Sequence, residues 1–346
     1  MLESMPSTST PERSGPPLFR YLPAGKRRPS QYEEVTVHTQ WSPTTYATQG
    51  FFCRGPGGRQ VWDPRSTRIT AGDWWGFRDP HQLWYRPYVE MQARSEDSIE
   101  LASDGAHLSG AFQNITEAWR DVLGRYYGAY RFYEYGLFLS LSYVQREALS
   151  DVVGTTAVFQ GMDRDRHAQA IALHCMDLEE AIPGFSSEGS RAAWLQDPML
   201  QPSREFVERL MACRDWVEIL VAINLVLDPL VSVLLTRNFF ARLAPRHGDT
   251  VTSVILDTVE IDRKRHLDTI SALVRFLIAD TDSNRAIIQG WVDAWLPLAR
   301  RAQQALRPLY ERLEESTFDG HLRTVGEDWA SLVAASGLRA EMEVSR

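Results

Sequence analysis

Two short strings constrain this chain more than anything else in it. Asp163-Arg164-Asp165-Arg166-His167 and Asp262-Arg263-Lys264-Arg265-His266 both read Asp-Arg-x-Arg-His, roughly a hundred residues apart. Each follows a long apolar run with helical periodicity and continues into further helical pattern, which places each inside a long helix and not in a loop. The chain therefore reads as two copies of a helix pair, and two such pairs make a four-helix bundle.

A bundle of this kind can hold two metals, with a Glu from each of two helices and a Glu-x-x-His unit from each of the other two. Residues i and i+3 share a helix face, so one turn offers an oxygen and a nitrogen to the same ion. Here both histidines are present, but the residue three before each is an arginine, Arg164 before His167 and Arg263 before His266. A guanidinium is permanently cationic and has no lone pair to donate, so this bundle is not expected to bind iron. The plain alternative is a charged helix face, because Asp163 with His167 and Asp262 with His266 are i, i+4 pairs, worth about 0.2–0.5 kcal/mol each. If the arginines turn inward, each needs a partner, since breaking a buried charge pair costs about 3–5 kcal/mol. Glu134, with Asp163 and Asp262 or backbone carbonyls, is expected to supply them, and Glu134→Ala is expected to lower the melting temperature.

From about Gly72 to Leu313 the chain resembles the beta (small) subunit of the hydroxylase of soluble bacterial di-iron monooxygenases, which act on methane, propane, alkenes, toluene and phenol. The resemblance is carried by Trp75-Gly-Phe-Arg-Asp-Pro80 with Tyr85, Tyr88 and Gln92, by Tyr133-Glu-Tyr135 leading to Tyr143-Val-Gln-Arg-Glu-Ala148, by Gln201-Pro-Ser-Arg-Glu205, and by Arg214-Asp-Trp-Val-Glu218 leading to Asn224-Leu-Val-Leu-Asp-Pro-Leu230. It implies an all-α, ferritin-like (ribonucleotide reductase-like) bundle in which only the catalytic alpha subunit keeps the irons. Glu134, 30 residues before Arg164, matches the lone Glu of alpha's first metal helix, and Ile223 falls where the second lone Glu would stand. Glu134, Arg164, His167, Ile223, Arg263 and His266 thus form the relic of a di-iron site with no metal and no catalytic residue of its own.

The resemblance further implies that this chain holds no cofactor and partners an alpha subunit that carries the di-iron centre, with or without a gamma subunit. A coupling protein and a reductase would serve the complex, which oxidises a small hydrocarbon with O2 and NADH-derived electrons. An alkene or alkane is favoured as substrate. The two rival readings are a metal oxidase with atypical ligands and a ferritin-like interaction protein unrelated to oxygenases.

Residues 1–74 are rich in Pro and Gly and read as an extended, mostly irregular arm. Its aromatics, from Phe19 to Trp74, favour an arm wrapped on a partner subunit over a solvated tail. Residues 75–315 form the helical domain, and 316–346 a C-terminal helix, around Glu327 to Ala335, and tail. Asp79-Pro80 is expected to cap and start the first helix, running to about Ala102. Pro229 is expected to kink or open the helix that carries it. The aromatic row around Tyr130 could be a tyrosine redox chain or an aromatic pocket, but core and interface packing is the commoner use. Trp74, Trp75, Tyr85, Tyr88, Tyr126, Tyr130 and Tyr133 are expected at the subunit interface.

A net charge of -8 leaves no domain-scale basic excess to offset phosphates, which argues against nucleic acid. The three cysteines are too scattered for a disulfide framework or a zinc site. The N-terminus lacks an apolar signal core, and the most apolar run is broken by Asn224, Asp228 and Pro229, so a cytoplasmic protein off the membrane is expected.

Overall fold

The computed structural model describes residues 28–37, 39, 56–60, 62–313 and 317–340. Among them there is no β-strand. Helix α1 is Tyr85–Ser109. Helix α2, Glu117–Val122, passes through a π-helical turn, Leu123–Tyr127, into α3, Gly128–Glu147. Ser150 then caps α4, Asp151–Ala181, by accepting the Val153 amide at 3.2 Å. The short connection between α3 and α4 forces the two to pack antiparallel as a helical hairpin.

The second half repeats the plan after the short helices α5, Gly189–Gln196, and α6, Gln201–Ala212. Helix α7, Trp216–Val221, opens into a π-helical stretch, Ala222–Ser232, continues as α8, Val233–Leu235, and ends in a second π stretch, Thr236–Ala241. Helix α9, Val251–Asp280, carries the second Asp-Arg-x-Arg-His string. Around this bundle lie α10, Asp282–Ala305, α11, Arg307–Glu311, and α12, Phe318–Ala335. The ferritin-like bundle is the expected fold, built as two helix pairs with α1 laid across α4 and α9.

Pro229 opens its helix for a traceable reason. It has no N–H, so the carbonyl of Leu225, four residues earlier, loses its helical donor. The indole of Trp329 on α12 donates to Leu225 O at 2.7 Å. Gln303 Nε2 donates to Leu230 O at 3.0 Å, and Tyr310 Oη to Leu234 O at 2.8 Å. Side chains of the outer helices thus donate to three backbone carbonyls along this run. The run Trp216–His247 is long and apolar enough to cross a membrane, but its apolar window lies wholly inside the bundle.

The packing requires glycine in at least one place. A Cβ on Gly124 would stand 2.4 Å from the backbone oxygen of Ser186, which cannot move aside as a side chain can.

Three expectations are corrected here. Asp79 does not start a helix: its carboxylate accepts the amides of His81 and Leu83 at 3.3 and 3.1 Å and closes a turn, so α1 begins at Tyr85. The last helix begins at Phe318, nearer the N-terminus than the Glu327 suggested by its pattern. Residue 74 marks no boundary, because the stretch before it is already bound to the helical body. Trp216 Nε1 donates to Ser66 Oγ at 3.1 Å, Asn284 Nδ2 to Thr70 O at 2.6 Å, and the rings of Trp74 and Trp216 lie 5.2 Å apart. Tyr32 and Val37 are also buried on this chain. Most of residues 1–55, and with them the bulk of the expected arm, lie outside the described residues.

Candidate functional site

The two Asp-Arg-x-Arg-His strings meet at the bundle centre, and they exchange partners. Asp163 on α4 takes the histidine of α9, with Oδ2 2.7 Å from His266 Nε2. Asp262 on α9 takes the histidine of α4, with Oδ2 3.1 Å from His167 Nε2. The arginine before each histidine joins the same exchange. Arg265 donates to Asp163 and reaches Asp262 Oδ1 at 3.0 Å, while Arg166 Nη2 donates to Asp262 Oδ2 at 2.7 Å. Gln92 on α1 completes the crossing by donating to Asp163 Oδ1 and Asp262 Oδ1, each at 2.9 Å. Tyr88, one turn earlier, donates to Asp163 Oδ1 at 3.0 Å.

Both arginines that stand three before the histidines, Arg164 and Arg263, point inward. Arg164 Nη1 donates to Glu134 Oε2 at 3.2 Å and Nη2 to Asp228, with all three side chains at or below 1% exposure. Asp228 is held in turn by Ser232, whose hydroxyl donates to Oδ1 at 2.8 Å and lies 2.7 Å from Tyr133 Oη. Arg263 pairs with Glu260 on its own helix and donates to Thr236 Oγ1 at 3.0 Å. The expected partners were thus right only for Glu134. Asp163 and Asp262 are spent on the two histidines and on Arg166 and Arg265, and Asp228 and Glu260 serve Arg164 and Arg263 instead. Ile223 is buried in the apolar core, so the carboxylate of that helix comes from Asp228, brought to the centre within the π stretch.

The electrostatics follow from these contacts. Burial alone would raise the Glu134 carboxyl, but the Arg164 guanidinium and His167 hold it well below the usual carboxylate range. Burial would likewise raise Asp262, and His167, Arg265 and Arg166 hold it far down. Burial pushes His266 below its ordinary 6.5 despite Asp163, and pushes His174 down as well.

All four groups act in one direction. An unfolded chain takes up protons on His174 and His266 below about pH 6.5 that the folded chain refuses, so stability falls as pH drops through that value. Glu134 and Asp262 contribute fully above their unfolded values of 4.5 and 3.8 and lose that contribution progressively below them. The urea midpoint is expected to decline gently from pH 8 to 5 and steeply below pH 4.5. A midpoint that is flat from pH 8 to 4 would remove this account.

A di-iron pair does not fit these residues. The carboxylates at the centre are engaged by guanidinium groups, and each histidine spends Nε2 on an aspartate. Among the described residues, no group of three or more His, Cys, Asp or Glu side chains is arranged to hold a metal. A cavity beside His266, lined also by Asp79, Phe159, Gln160 and Asn224, measures about 30 Å³. That is room for little more than a water, against the ~150 Å³ that admits benzene.

The aromatics expected at a subunit interface divide. Trp74, Tyr88, Tyr126, Tyr130 and Tyr133 are buried within this chain, Trp75 is partly buried, and Tyr85 is 68% exposed. For those five, the chain's own core takes the apolar surface assigned to a partner. Tyr130 and Tyr133 stack with ring centres 4.9 Å apart. Cys175 and Cys213 are free thiols that burial pushes up to about 12 and 11. Cys53 lies outside the described residues.

Comparison with known proteins agrees with this architecture. A family model described as methane/phenol/alkene hydroxylase matches residues 56–281. The small subunit of the propane 2-monooxygenase hydroxylase component from Mycolicibacterium goodii is 30% identical over 95% of this chain and 91% of its own. The methane monooxygenase component A beta chain from Methylococcus capsulatus is 31% identical over 88% of this chain and 82% of its own. Among solved structures, a chain of toluene 4-monooxygenase with toluene in its resting active site superposes with a TM-score of 0.71 at 27% identity, covering 80% of this chain and 92% of that one.

Proposed function

This chain belongs to the methane/phenol/alkene hydroxylase family, and from that premise we propose that it is the iron-free small subunit of a hydrocarbon monooxygenase hydroxylase. Its large partner subunit carries the di-iron centre and the oxygen chemistry, and this chain contributes a rigid helical body against which that subunit folds. The substrate is a short alkane or alkene, the relatives at hand including propane and methane enzymes. A reductase supplies NADH-derived electrons and a coupling protein tunes the complex, which is cytoplasmic.

One observation carries the iron-free reading. The Arg164 guanidinium lies between Glu134 and Asp228, so a cationic side chain already neutralises the carboxylates that a metal would need. The rival metal-oxidase reading loses those same ligands.

The test is iron content and hydrocarbon oxidation, first for this chain alone and then for the chain co-expressed with its large subunit. Iron and activity are expected only in the joint complex. Stoichiometric iron in the chain by itself would overturn the proposal.

A further inference from the structure

The aromatic row at the head of α3 carries an arrangement that packing alone leaves unused. Tyr130 and Tyr133 stack with ring centres 4.9 Å apart, and Tyr133 meets Trp194 of α5 edge-on at 6.5 Å. Both spacings are those of touching rings, roughly 4.5–7 Å. Trp194 is only partly buried, whereas the two tyrosines are 4% and 1% exposed, so the row runs from the surface into the bundle.

The two phenols differ in where their protons can go. Ser232 gives its single hydroxyl proton to Asp228 Oδ1 at 2.8 Å, so in the 2.7 Å contact between the two hydroxyls Tyr133 is the donor. Tyr133 Oη, Ser232 Oγ and Asp228 thus form a donor chain that ends on a buried carboxylate. Tyr130 Oη lies near Glu134 yet makes no hydrogen bond. A phenol oxidised by one electron releases its proton, and of the two it is Tyr133 that has an acceptor already in line.

We propose that Trp194, Tyr133, Ser232 and Asp228 form a one-electron relay, which draws an oxidising equivalent in from the surface of this chain and holds it on Tyr133. An oxygen-derived radical at the surface takes one electron from the Trp194 indole and is itself reduced by one. Tyr133 then returns an electron to Trp194. In the same step the Tyr133 O–H bond breaks and its proton passes to Ser232 Oγ, while the Ser232 proton passes to Asp228 Oδ1. Tyr133 is left as a neutral phenoxyl and Asp228 as a carboxylic acid. Arg164 keeps Glu134 as its counter-charge, so the neutralised Asp228 does not strand a buried cation. The depth of the Tyr133 ring shields the radical from coupling with other molecules.

The experiment oxidises the full-length chain with photogenerated tris(bipyridine)ruthenium(III), which needs no second subunit, and reads the trapped radical by electron paramagnetic resonance. A tyrosyl signal is expected, most of it lost in Tyr133→Phe and retained in Tyr130→Phe. A several-fold lower yield is expected in Ser232→Ala, which removes the proton acceptor, and in Trp194→Phe, which removes the point of entry. The parent chain prepared in D2O gives a reading that no folding defect of a variant can obscure. Its phenoxyl oxygen should show an exchangeable hyperfine coupling from the Ser232 hydroxyl. No tyrosyl signal in the parent, a parent signal without that coupling, or a signal that follows Tyr130 and not Tyr133 would overturn the relay. So would a yield unchanged in Ser232→Ala or in Trp194→Phe.

Discussion

Asp163→Ala is expected to cost this protein about 3–5 kcal/mol, the scale for leaving buried charges without their counter-charge. Asp163 is fully buried and holds Arg265, His266, Tyr88 and Gln92 together. Its removal leaves a guanidinium 8% exposed with Asp262 as its one remaining carboxylate. Asp262→Ala should cost a similar amount by releasing Arg166 and His167. The two losses should not add, because Arg265 and Gln92 touch both aspartates. Urea denaturation of the two single variants and the double variant measures this. A single-variant loss below about 1 kcal/mol would mean that the crossing is a solvated charge pattern with no structural weight.

The second large effect is expected at Arg164, and its sign depends on what surrounds the substitution. Arg164→Met alone strands Glu134 and Asp228 as uncompensated buried carboxylates and should cost about 3–5 kcal/mol. Arg164→Met combined with Glu134→Gln and Asp228→Asn removes the charges together, and most of the loss should return. Glu134→Ala alone should be milder than Arg164→Met, because Arg164 keeps Asp228. A triple variant no more stable than Arg164→Met would show that the triad contributes more than mutual neutralisation. The comparison needs only melting curves.

Much of this arrangement is legible in the sequence, and the failures have physical causes. The repeated Asp-Arg-x-Arg-His string points to the helix pairs and the inward arginines, and the spacing to Glu134 supplies Arg164 with its first partner. Asp228 is hidden because it precedes a proline inside an apolar run, where it reads as an interruption of hydrophobicity. Its inward position depends on a π register, which shifts residues off the 3.6-residue face that periodicity tests. Glu260 lies three before Arg263 on one helix face, and a partner so close in sequence is passed over when partners are sought across helices. Tyr88 and Tyr133 look like interface residues by composition alone. An aromatic ring with a hydroxyl suits an interface or a core equally well until its hydrogen-bond partner is known, here Asp163 for one and Ser232 for the other.

The partner exchange between the two strings also bears on how the chain reaches this state. Asp163 and His266 are separated by 103 residues in sequence and Asp262 and His167 by 95. Each helix pair holds ion pairs of its own, Glu134 with Arg164 and Glu260 with Arg263, but neither can bring the two aspartate–histidine contacts together by folding first. A half-formed bundle would bring Asp163 out of water before His266 and Arg265 arrive, so the intermediate is penalised until both halves dock. The crossing couples the first half of the molecule to the middle of α9 through contacts about a hundred residues apart, the kind of non-local contact that slows folding in general.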